Sequence, residues 1–154
     1  ARHVAHLMTR IGKPDRLAWK QNERPAAPNA SRRAFLTHDA DRYEDELWWK
    51  VEKPELALGP PSWKWVATAY DSTLALESLG KLEAIRTPLL ILAAEADKLV
   101  AIEAIRRAAA RLPDATLHVY GPESAHEILR EADAVRDDAL RRIDSFLDDR
   151  APAR

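Results

Sequence analysis

An uninterrupted apolar run, Leu89-Leu90-Ile91-Leu92-Ala93-Ala94, constrains the fold of this chain more than any other stretch. It lacks polar alternation, the pattern of a strand buried on both faces of a parallel sheet. A parallel partner requires a crossover long enough for a helix, and the sequence supplies one. Ile102, Ile105, Ala109 and Leu112 recur at helical spacing with Arg106, Arg107 and Arg111 between them, and Pro113-Asp114 ends the segment. Thr116-Leu117-His118-Val119-Tyr120 then alternates as a strand does. The expected unit is β-α-β with a right-handed crossover. A closing helix follows from Asp133 to Asp149, with Val135, Ala139, Ile143 and Phe146 as its apolar stripe. Asp137–Arg141 and Asp138–Arg142 fall at i, i+4 on its exposed side, each pair worth about 0.2–0.5 kcal/mol.

The preceding residues have a different character. Gly12-Lys13-Pro14-Asp15 breaks a short, weakly periodic segment, and Asn22–Asn29 reads as a proline-rich loop. Thr37–Val51 has helical spacing at Tyr43, Leu47 and Val51, with Thr37 or Asp39 as the cap. Pro54 and Gly59-Pro60-Pro61 interrupt the chain again. A second helix is expected from Ser62 to near Gly80, with Trp65, Ala69 and Leu76 among its apolar positions. The chain is therefore expected to divide into a helical, loop-rich region, 1–86, and a compact α/β unit, 87–150, with 151–154 as a tail. All five tryptophans lie in the first region.

Composition excludes several classes of function. The 24 basic and 25 acidic side chains are mixed along the chain and leave a net charge of −1, so no basic surface points to nucleic acid. With no cysteine there is neither a disulfide nor a thiolate metal site, which fits a reducing compartment. No apolar run approaches the ~18 residues that span a bilayer. The expected location is cytoplasmic, with membrane contact at most peripheral.

Reactive groups in open α/β sheets collect at the carboxyl ends of the strands. Asp97 follows the first strand by three residues and His126 follows the second by about six. Parallel neighbouring strands put both loops on one edge, where the two side chains could meet. A carboxylate on one ring nitrogen fixes the tautomer and leaves the other nitrogen free to take a proton. Blander readings exist for each residue alone. Asp97 could cap the helix beginning near Ala101, His126 could be a surface histidine, and Glu95 is a rival acid closer to its strand. His3-x-x-His6 has no nearby partner to complete a metal set, so no metal is expected. Glu127 could shape the histidine loop or cap a short helix, Ile128–Ala132.

Thr87-Pro88-Leu89-Leu90-Ile91-Leu92 through Asp97-Lys98-Leu99-Val100, with His126-Glu127-Ile128-Leu129-Arg130-Glu131, resembles the monoacylglycerol lipase and lysophospholipase family of α/β-hydrolases, often grouped as serine-aminopeptidase-like. Leu36-Thr37-His38-Asp39-Ala40-Asp41-Arg42-Tyr43 and Leu56-Ala57-Leu58-Gly59-Pro60-Pro61-Ser62-Trp63 resemble the cap of its bacterial lysophospholipase-like members. The resemblance implies an α/β-hydrolase fold with Asp97 as triad acid, His126 as general base and residues 1–80 mostly as cap. It implies a lipid-like ester as substrate and no cofactor. Trp48, Trp49, Trp63 and Trp65 would then line an acyl pocket or meet lipid; packing of the cap onto the core is the alternative for each.

One departure is large. The family's serine sits in a G-x-S-x-G turn, and Gly12, Gly59, Gly80 and Gly121 cannot form one. Ser124 lies two residues before His126, but it neither leads a strand into a helix nor has flanking glycines. The expectation is the C-terminal part of a serine ester hydrolase, inactive alone, with the early strands lost or supplied elsewhere. A two-stranded parallel sheet leaves an open edge, so the chain alone is expected to self-associate or fold marginally. Alternatives are a non-catalytic module holding an apolar ligand, and a peptidase or small-ester hydrolase of the same superfamily.

Overall fold

The computed structural model describes residues 2–19 and 30–151, the side chains of Ala30 and Ser31 excepted. The chain packs as two units. One comprises Ala1–Ala27 with Leu47–Lys81, the other Pro28–Glu46 with Leu82–Arg154. This grouping sets residues 28–46 with the α/β segment, beside the expected single boundary between 86 and 87. The expected loop at Asn22–Asn29 lies outside the described residues.

In the first unit, α1 (Arg2–Ile11) packs against α4 (Trp63–Glu77), and Ala5 and Ala67 are their most buried residues. Small side chains at these points allow close approach of the two backbones. His6 Nε2 lies 2.9 Å from Asp71 Oδ1, and Arg2 also bonds to that oxygen. The His6 bond, with help from Arg2, holds the Asp71 carboxyl below its usual range. The Ser62 hydroxyl caps α4 by accepting from the Trp65 N–H at 3.2 Å, in line with the expected start. Of the apolar positions named in α4, Ala69 is partly covered. Trp65 and Leu76 are exposed, and Trp63, Ala67, Asp71 and Ala75 are the more covered positions at i, i+4 spacing. Charge at Asp71 hid this face from a count of apolar residues.

The second unit contains the sheet. β1 (Leu89–Ala94) and β2 (Ala115–Tyr120) pair in parallel, from Leu89 opposite Ala115 to Ala94 opposite Tyr120, with α5 (Ile102–Arg111) as the crossover. β1 is less enclosed than its composition predicts. Leu89–Leu92 are half-buried and only Ala93 and Ala94 are buried, because β1 has one hydrogen-bonded neighbour among the described residues. The core lies near the carboxyl end of the strands, where Tyr120, Ile128, Val135 and Ala139 cluster with Leu92 against them. Burying a side chain such as Ile128 or Val135 stabilises by roughly 1.5–3 kcal/mol.

α6 (Asp133–Arg150) covers the expected span. Its surface pairing differs in part. Arg142 and Arg141 both bond Asp138, at 2.6 and 3.2 Å, and Asp137 pairs with Arg136. Asp138 gathers both arginines and also accepts from the Tyr120 hydroxyl at 2.9 Å, so the expected Asp137–Arg141 pair does not form. The helix expected over Thr37–Val51 forms as α3 (Ala40–Glu52), and a further helix that the sequence reading did not include, α2 (Ala30–Leu36), precedes it. Asp39 is the cap: its Oδ1 accepts from the Arg42 N–H at 3.0 Å. Ile128–Arg130 is a single 3₁₀ turn, shorter than the helix expected there. Among the described residues no helix is long and apolar enough to cross a membrane.

Candidate active site

Both loops that leave the sheet at its carboxyl edge carry the residues picked out from their position. The acid loop is short and organises itself. Asp97 Oδ1 accepts from the N–H groups of Leu99 and Val100 at 2.7 and 3.1 Å. Oδ2 is left facing out of that turn and lies 2.7 Å from His126 Nδ1. Asp97 therefore does not cap α5, whose first turn receives no side-chain cap. One carboxylate thus closes its own loop and still presents an oxygen to the imidazole.

The electrostatics assign the proton. Burial raises the Asp97 carboxyl, but bonds from His126, Leu99 and Val100 outweigh it and hold the group below its ordinary range. An ionised carboxylate can only accept, so at neutral pH the short contact is an Nδ1–H donated to Oδ2. In the neutral ring, Nε2 then carries the lone pair. Among the described residues Nε2 has no hydrogen-bond partner. The His126 side chain is about one-third exposed, against 6% for Asp97. It borders a hollow of about 390 Å³ with Leu92, Glu127, Ile128, Leu129 and Arg130. The pair can accept a proton at an accessible nitrogen and stabilise the resulting imidazolium.

The other expected residues have separate places. Glu95 pairs with Arg106 on the surface. Ser124 is fully buried, and its hydroxyl donates to the Ala125 carbonyl at 3.1 Å, which removes it as an attacking group near His126. Trp63 and Trp65 line an apolar cleft of about 520 Å³ with Val4, Trp19, Val66, Ala69, Tyr70 and Thr73. Trp48 and Trp49 are exposed and stack edge to face at 4.8 Å, apart from that cleft's lining. Among the described residues no cluster of three histidine or acidic side chains could hold a metal ion.

The histidine loop is held by residues far away in sequence. The His126 and Glu127 N–H groups donate to the carbonyls of Phe35 and Leu36 at 3.4 and 2.8 Å. Thr37, fully buried, donates its hydroxyl to the Arg130 carbonyl at 2.7 Å and accepts from the Asp39 N–H at 3.0 Å. Arg130 bonds Glu46, Glu127 and the Arg42 carbonyl, and its guanidinium lies 5.9 Å from the centre of the Tyr43 ring. Arg42 reaches the Glu131 carbonyl and Asp133. Sequence reasoning missed this network. Its charged members look solvated in the string, and the one available signal was their density between Glu127 and Asp133.

A profile of the serine aminopeptidase, S33 family (Hydrolase_4) matches residues 5–133. The chain is 31% identical over 96 residues to the probable lysophospholipase L2 of Haemophilus influenzae, a match covering 62% of this chain and 30% of that protein. Its fold is similar to the crystal structure of the Paleococcus ferrophilus monoacylglycerol lipase, with a TM-score of 0.70 and 22% identity, covering 97% of this chain and 52% of that one. A soluble variant of the monoglyceride lipase from Saccharomyces cerevisiae, solved with a substrate analog, matches with a TM-score of 0.70 and 14% identity over 97% of this chain and 46% of the other. The chain thus spans about half the length of these structures and under a third of the curated relative. The architecture is part of an α/β-hydrolase fold, and the chain belongs to the serine aminopeptidase, S33 family.

Proposed function

We propose that this chain supplies the acid and the base of a serine hydrolase that cleaves carboxylic esters of lipid-like alcohols, of the lysophospholipase or monoacylglycerol lipase type. The observation that carries the reading is the 2.7 Å bond between Asp97 and His126 at the common edge of the parallel strands. The names of its relatives support the substrate class. On this reading the nucleophilic serine lies outside the 154 residues, which contain no G-x-S-x-G. Its hydroxyl would attack the ester carbonyl while His126 Nε2 takes the proton. The imidazolium, held by Asp97, would return that proton to the departing alkoxide. Water would then hydrolyse the acyl-enzyme by the same exchange.

Residues 1–86 would form mostly a cap. The cleft beside Trp63 and Trp65 falls within the ~300–1,000 Å³ of small-molecule sites and is lined by aromatic and aliphatic groups. That suits an acyl chain; Trp48 and Trp49 would serve at most as outer contacts. The same cleft favours a second reading, a module that holds an apolar ligand without turnover. The family's name keeps a peptidase or small-ester substrate as a third.

The test is to produce the chain joined to the sequence encoded immediately before it and to assay a panel of p-nitrophenyl esters, monoacylglycerols, lysophospholipids and aminoacyl anilides. Turnover of the lipid esters, reduced by His126→Ala on the order of 10⁶-fold, is the expected result. The 154-residue chain alone should show no turnover above its own His126→Ala variant. Lipid binding with no hydrolysis of any ester would favour the second reading, and preferential cleavage of the anilides the third.

A further inference from the structure

We infer that Glu131 is a positioning residue for His126, acting through the backbone of the histidine loop; its catalytic consequence rests on the hydrolase reading above. Glu131 is fully buried, an unusual place for a carboxylate. It sits just beyond the 3₁₀ turn Ile128–Arg130, and its side chain turns inward to receive N–H groups from two separate segments. Oε1 accepts from the Ala125 N–H at 2.7 Å. Oε2 accepts from the His38 N–H at 3.0 Å. The His38 ring adds a contact from Nδ1 to Oε1 at 3.1 Å. The Thr37 hydroxyl lies 3.4 Å from Oε2, but its single proton goes to the nearer Arg130 carbonyl.

A buried carboxylate in this position is held by directed N–H donors, which a group kept only for packing would not require. The donors also define its work. Ala125 immediately precedes His126, so the 2.7 Å bond fixes the peptide from which the imidazole projects. The bond to His38 anchors the same carboxylate to the segment whose Phe35 and Leu36 carbonyls accept from His126 and Glu127. The Phe35 and Leu36 carbonyls, the Thr37 hydroxyl and Glu131 thus tie the histidine loop to residues 35–38, and of these Glu131 is the one that holds the N–H of the residue immediately before His126. The ring must stay within a fraction of an ångström of Asp97 for the proton to remain on Nδ1. Asp97 Oδ2 meets the ring itself but makes no bond to the peptide that carries it, so the backbone restraint comes from Glu131.

Glu131→Gln separates positioning from packing. It keeps shape and volume but replaces one acceptor oxygen by an NH₂, so one of the two backbone N–H groups faces a donor. In the ¹⁵N-histidine-labelled 154-residue chain, the expected outcome is a folded protein by circular dichroism whose His126 Nδ1–H resonance is lost or broadened. Glu131→Asp, which retains charge but falls short of both N–H groups, should not restore it. In the complete protein kcat should fall on the order of 100-fold with KM little changed, as for a reacting group displaced by about 1 Å. A Glu131→Gln chain with an unaltered His126 resonance overturns the inference. If Glu131→Gln does not fold, an ester in place of the Ala125 amide deletes the 2.7 Å bond alone, and persistence or loss of the resonance decides in the same sense. The resonance is read without turnover, so a complete protein that proves not to be a hydrolase would defeat the functional reading and leave the positioning result standing.

Discussion

The two loops at the carboxyl edge of the sheet reach one contact by opposite means. The acid loop is local: Asp97 takes its partners from Leu99 and Val100 and needs nothing outside its own turn. The histidine loop is remote: its backbone hangs on Phe35, Leu36 and Glu131, and Glu131 in turn on His38. The difference teaches where precision is stored in such a site. A short loop can orient a carboxylate by itself, while a ring at the end of a longer loop depends on bonds closed across some 90 residues of sequence.

The comparison predicts unequal costs. The largest loss should come from Glu131→Ala, which leaves the buried Ala125 N–H and the part-buried His38 N–H without their acceptor and should destabilise the chain by roughly 2–4 kcal/mol in urea unfolding. A loss below 1 kcal/mol would mean that the remote anchor is dispensable. Thr37→Val removes the bonds to Arg130 and Asp39 on the same side and should cost about 1–3 kcal/mol in the same measurement.

Removing the local partner should cost less. Asp97→Asn should lower stability by about 1 kcal/mol at neutral pH, and the deficit has a signed pH dependence. The folded Asp97 carboxyl is held below its ordinary value, so the unfolded chain binds more protons in the acid range. The contribution of Asp97 is complete above the usual carboxylate range and disappears as pH falls through its depressed folded value. Urea unfolding of wild type and Asp97→Asn should therefore converge on acidification. A gap that widens toward low pH would contradict the assignment. The smallest effect belongs to Glu95→Gln, which breaks an exposed pair with Arg106 and should change stability by under about 0.5 kcal/mol. It should also leave the His126 resonance untouched, separating the rival acid from the one in contact with the ring.

Legibility followed the same division. β1, α5, β2 and α6 could be read because each is written in local periodicity, and Asp97 and His126 because their distance past the strands set them on one edge. α2 was not read, and the choice of Asp39 over Thr37 as the cap of α3 stayed open because it depends on Thr37 being drawn to Arg130. The covered face of α4 could not be read from its apolar positions, because Asp71 belongs to it through His6 and Arg2. Glu131 was invisible for the strongest reason: a glutamate between arginine and aspartate looks solvated until partners 93 residues away bury it.

The direct test of the account is the protonation pattern of the His126 ring in the ¹⁵N-histidine-labelled chain near neutral pH. The account predicts a proton on Nδ1 bonded to Asp97 and loss of the Nδ1–H resonance in Asp97→Asn. A ring protonated at Nε2 alone, or a resonance unchanged by Asp97→Asn, would contradict it.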